Sequence, residues 1–96
     1  MLTIDEIKKS VVPLAQSYGA ERVFLFGSYA RGEATPQSDI DLRIDKGKIV
    51  GIQLGGFYAD LEEKLNHSID LLTTEQLSHK FLDHIKNEEI LLYERT

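Results

Sequence analysis

Apolar residues recur along the first eighteen positions at a helical period, with Ile4, Ile7, Val11, Leu14 and Tyr18 on one side of a 3.6-residue turn. Thr3 and Glu6 precede that stripe at the spacing of a capping box, in which each side chain satisfies the other residue's free amide. The pattern predicts a helix that runs to Tyr18 and stops at Gly19. Pro13 lies well inside it, where a missing N–H and a bulky ring predict a kink or a break. The period then changes. Arg22–Phe26 is a short apolar run that reads as a strand, Tyr29–Gly32 reads as a helical turn, and Glu33–Ser38, which contains Pro36, reads as loop. Ile40–Asp45 alternates: Ile40, Leu42 and Ile44 point one way, and Asp39, Asp41, Arg43 and Asp45 point the other.

Lys46–Gly51 reads as a turn, and Leu54–Asn66 predicts a helix in which Phe57, Leu61 and Leu65 repeat every four residues. Ser68–Thr73 predicts a third strand, with Ile69 and Leu71 on one face and Asp70 and Leu72 on the other. Thr73 and Gln76 repeat the capping pattern and predict a helix carrying Leu77, Phe81 and Ile85, followed by a last strand over Ile90–Tyr93. No repeat, low-complexity tract or linker interrupts this order. The succession α-β-turn-β-α-β-α-β predicts an α/β (α+β) domain, one small sheet with helices packed against it.

Length and charge narrow the function classes. Ninety-six residues are enough for one core and no second lobe, so a single domain over 1–96 is expected. No apolar stretch approaches the ~20 residues needed to span a bilayer. The N-terminus lacks the basic-then-apolar order of a signal peptide, and a cytoplasmic protein is expected. The absence of cysteine excludes disulfides and thiolate metal sites. A net charge of −5 disfavours a long nucleic-acid substrate, because a surface that tracks a phosphate backbone is normally basic.

The chemistry concentrates between Gly27 and Leu42. Asp39 and Asp41, two apart on one strand, point together at a spacing of about 6.6 Å. Two carboxylates this close repel, and a cation between them relieves the repulsion. Their oxygens suit Mg²⁺, and two such ions can stabilise both the attacking and the leaving oxygen of a phosphoryl displacement. An isolated Asp-x-Asp is more often a solvated strand face. What changes that reading is Gly27-Ser28, at the end of the preceding strand. Gly27 has no Cβ, so backbone there can approach a phosphate, and Ser28 adds a hydroxyl and its own N–H at the start of a turn that favours an anion. Residues 27–34 lack the Gly-Lys-Ser/Thr ending of a P-loop. Arg31 has two readings, a contact to triphosphate oxygens or an ion pair that supports the loop. His67, His79 and His84 share no ligand spacing and are given no site role, and Tyr29 reads as core or as a wall of the nucleotide pocket.

The run Gly27-Ser28-Tyr29-Ala30-Arg31-Gly32, closed after Ser38 by Asp39-Ile40-Asp41-Leu42, resembles the signature of the polymerase-beta-like nucleotidyltransferases. Its wording is similar to the minimal branch, in which the catalytic domain stands alone, often beside a partner of the helical HEPN family. The resemblance implies a mixed sheet carrying an Asp triad, with Mg²⁺ and ATP. Asp70 matches the third carboxylate that such enzymes take from a neighbouring strand. Ser38 matches the residue before the pair, where it either contacts substrate or braces the loop by a side-chain-to-backbone bond. The implied reaction is attack of an acceptor hydroxyl on the α-phosphorus, with pyrophosphate leaving. In the minimal branch that acceptor is a tyrosine of a HEPN toxin, and the transferase is its antitoxin. Two other readings stand beside this one: a binding antitoxin that occludes its partner, and a small-molecule nucleotidyltransferase whose acceptor pocket would need self-association or a second chain.

Overall fold

A computed structural model describes residues 1–96. In chain order it contains α1 (Ile4–Tyr18), β1 (Arg22–Phe26), α2 (Gly27–Arg31), β2 (Ile40–Asp45) and α3 (Gln53–Leu65). These are followed by β3 (Ile69–Thr73), a 3₁₀ turn (Thr74–Gln76), α4 (His79–Ile85) and β4 (Ile90–Glu94). One sheet holds all the strands in the order β3-β2-β1-β4. β1 runs antiparallel to both β2 and β4, whereas β2 and β3 are parallel. A parallel pair needs a crossover, and α3 supplies it.

Alternation sets which side of the sheet is covered. Val23, Leu25, Ile40, Leu42, Ile44 and Ile69 point into a single core. There they meet Ile7, Val11 and Ala15 of α1 and Phe57, Leu61 and Leu65 of α3, the residues that repeat at helical spacing. Tyr18 packs on Phe57 with ring centroids 5.3 Å apart, and its hydroxyl donates to Asp60 at 2.6 Å, so α1 and α3 are joined by both kinds of contact. The opposite face is covered more thinly. Phe81 of α4 meets Phe26 edge-on at 5.9 Å. Arg43 lies 4.0 Å from the centre of the Phe24 ring and forks onto Glu89 at 2.6 and 2.9 Å. These contacts hold α4 and the α4–β4 turn against β1 and β2.

Two expectations are corrected. α1 passes through Pro13 without a break. The proline and Lys9, whose carbonyl loses its helical partner, are both exposed, so water can satisfy that carbonyl. The single helix expected after Thr73 is two pieces. The Thr73–Gln76 capping box forms, but it closes one 3₁₀ turn. Leu77 then becomes extended, and Ser78 starts α4 by accepting the Phe81 N–H at 3.1 Å. A second good cap a few residues on allows the chain to restart. No helix is long and apolar enough to cross a membrane.

Candidate active site

The site forms where β1 hands over to α2. Gly27 has φ 75°, in the left-handed region that side chains disfavour. The neighbouring strand imposes a second constraint. Phe26 is the register partner of Asp41, and a Cβ on Gly27 would overlap Asp41 Oδ2 and lie 3.0 Å from its Cγ. Glycine is therefore required here by the Asp41 carboxylate itself. Its absence of side chain brings the 27–28 backbone against that acid.

Asp41 is also the register partner of Asp70 across the parallel β2–β3 pair. Paired residues share a sheet face, and adjacent strands are ~4.8 Å apart. Asp39 sits one residue before β2, exposed, and the next amide, that of Ile40, donates to Ser68 O at 3.0 Å and ties the two strand starts together. Burial pushes the Asp41 carboxyl up to about 6, and the charges of Asp70 and Asp39 add to the rise. Arg31 opposes it, and Glu88 contributes further repulsion. No three of the His, Cys, Asp and Glu side chains close into a ready-made ion cage. The donor set nevertheless suits Mg²⁺: oxygen ligands only, an excess of negative charge around Asp41, and open positions that phosphate and water can complete.

Asp41 forms part of the wall of a cavity of about 310 Å³, together with Gly27, Ser28, Arg31, His84 and Glu88. Asp39 and Asp70 lie outside its lining. Arg31 donates from Nε to Glu33 at 2.8 Å and from Nη1 to both Glu88 oxygens at 3.2 and 3.3 Å. Glu88 in turn accepts the Gly27 N–H at 2.7 Å. Ser38 is turned toward its own loop, where its Oγ accepts the Thr35 N–H at 2.8 Å, the bracing arrangement. Tyr29 belongs to the core, with its hydroxyl buried and unpartnered, and is no wall of the cavity. His84, which its spacing left without a site role, lines the cavity after all, and Glu88 is a lining residue that the sequence did not single out. Neither has a motif; only the placement of β4 beside β1 brings the end of α4 to Gly27.

Residues 9–96 match the sequence profile of the family described as polymerase beta, nucleotidyltransferase. A candidate protein adenylyltransferase of Methanocaldococcus jannaschii is 34% identical over 90 residues, which cover 93% of this chain and 97% of that one. Among solved structures, a candidate minimal nucleotidyltransferase superposes with a TM-score of 0.79 at 27% identity, over 93% of this chain and 95% of its own. A chain from the complex of a tri-AMPylated Shewanella oneidensis HEPN toxin with its MNT antitoxin superposes with a TM-score of 0.70 over 95% of this chain and 72% of its own. At 17% identity that last likeness is one of fold. The chain that places Gly27-Ser28 against Asp41 thus belongs to the polymerase-beta nucleotidyltransferase family, and is a nucleotidyltransferase of its minimal branch.

Proposed function

We propose that this chain, as one catalytic unit over residues 1–96, transfers AMP from ATP to a tyrosine hydroxyl of a HEPN-type toxin and so acts as its antitoxin. The observation that carries the reading is the close approach of the Gly27 backbone to Asp41, with Asp70 in register on the next strand. The M. jannaschii relative is a candidate protein adenylyltransferase, and the Shewanella complex pairs an MNT antitoxin with an AMPylated HEPN toxin; both support the same assignment.

In this reading Asp39, Asp41 and Asp70 hold Mg²⁺, which when bound neutralises charge on the triphosphate and favours loss of a proton from the acceptor hydroxyl. Gly27 and Ser28 position phosphate oxygens beside Asp41, and Arg31 offsets their charge. Asp70, on the separate strand, accepts the phenolic proton as the oxygen attacks. A new bond forms between that oxygen and the α-phosphorus, the bond to the bridging α–β oxygen breaks, and pyrophosphate leaves with the electron pair. General-base assistance of this kind contributes about 10²–10⁴ in rate. The net charge of −5 speeds encounter with a basic, RNA-cleaving partner.

The test is the intact mass of a candidate HEPN-type partner after incubation with the protein, ATP and Mg²⁺. An AMP-sized increment that disappears with Asp41→Asn is expected. Complete neutralisation with no mass change, and with Asp41→Asn still protective, would replace this reading with simple occlusion.

A further inference from the structure

Glu88 lies outside the sequence motif, yet its carboxylate is the anion held by the Gly27 turn. Its Oε2 accepts the Gly27 N–H at 2.7 Å, and Arg31 Nη1 lies 3.2 and 3.3 Å from its two oxygens. The nucleotide reading places triphosphate oxygens against this same turn backbone and this same guanidinium. A backbone amide has one hydrogen, so Gly27 cannot serve a carboxylate and a phosphate at once. Asp41 faces the same cavity of about 310 Å³, so a triphosphate entering beside Glu88 would bring a third anionic group into it.

We propose that Glu88 is an internal competitor for the nucleotide: it fills the Gly27–Arg31 cradle of the free protein, is displaced when the triphosphate binds, and thereby sets the affinity for ATP. The inference rests on the nucleotide-transfer reading above. Displacement needs only a side-chain movement. Glu88 lies in the turn after α4, and its neighbour Glu89 is anchored to Arg43 by bonds of 2.6 and 2.9 Å, so the backbone stays in place while the Glu88 side chain swings to solvent. In the free protein the contact has a structural benefit, since it satisfies a buried glycine amide with a charge-assisted bond. Binding strength for ATP is what it costs.

The experiment is calorimetric titration of the full chain with ATP and Mg²⁺, comparing wild type with Glu88→Gln, Glu88→Ala and Glu33→Gln. Glu33 is the informative control, because it also pairs with Arg31 but makes no contact with Gly27. Both Glu88 variants should bind ATP about tenfold more tightly, equivalent to ~1.4 kcal/mol, and Glu33→Gln should stay within about twofold of wild type. The Gly27 amide resonance should move on ATP addition in wild type. Unchanged or weaker binding in the Glu88 variants, or equal tightening by Glu33→Gln, overturns the inference while leaving the nucleotide reading intact. Absence of ATP binding in wild type and variants alike overturns both.

Discussion

Asp41 and Asp70 are register partners on neighbouring parallel strands, so two carboxylates face one another across a single strand spacing on the thinly covered side of the sheet. Asp41 is the more buried of the two.

The pH dependence of stability follows from that placement. Burial, then Asp70 and Asp39, push the Asp41 carboxyl up to about 6, above its ordinary value of 3.8. The folded state therefore holds this proton more tightly than the unfolded chain. Stability falls as pH rises from about 4 to about 6, and the deficit persists above that range. Asp41→Asn has no charge to bury. Without Mg²⁺ it should melt above wild type at pH 7, with the difference closing near pH 4, while transferase activity is lost. A melting temperature below that of wild type at pH 7 would contradict this account.

Gly27→Ala should lower stability by about 2 kcal/mol or more in urea unfolding, since it combines a left-handed φ with overlap of the Asp41 carboxylate. The two contributions are separable. In an Asp41→Ala background Oδ2 and Cγ are gone, and the same glycine substitution should cost less. A double-mutant cycle with no coupling between the two positions would show that the overlap is relieved elsewhere.

Asp70→Asn should reduce kcat by about 10²–10⁴ and change the Kd for ATP only a few-fold, as expected for a group that serves the attacking hydroxyl. Single-turnover kinetics beside a binding titration separate these quantities. A change confined to ATP affinity would move Asp70 from the acceptor side to the nucleotide side.

Tyr29→Phe should leave ATP binding unchanged and raise stability by about 1 kcal/mol, because it removes a buried hydroxyl with no hydrogen-bond partner. Loss of ATP binding in this variant would return Tyr29 to the nucleotide pocket.

Local patterns carried most of the architecture because they act over a few residues. The Thr3–Glu6 box, the four-residue repeat of Phe57, Leu61 and Leu65, and the alternation through Ile40–Asp45 each concern neighbours in the chain, and the observed elements follow them. The helix through Pro13 and the divided segment after Thr73 depended on more than local preference. One turned on whether a carbonyl could reach water, the other on a choice between two adequate caps.

The sequence by itself marked the candidate chemistry and determined the fold class: Gly27-Ser28 and Asp39-x-Asp41 stand at a distance along the chain that a β-turn-β unit closes, and the order of elements follows the local patterns. Only the tertiary structure decided why residue 27 is glycine, since the atom that a side chain would strike belongs to Asp41 on the next strand. It set Asp70, which the resemblance had already grouped with the pair, in register with Asp41 through parallel pairing across the α3 crossover, and it alone brought Glu88 to the Gly27 amide from sixty-one residues away. Strand order is set by the burial of a whole sheet face at once. No spacing along the chain records it.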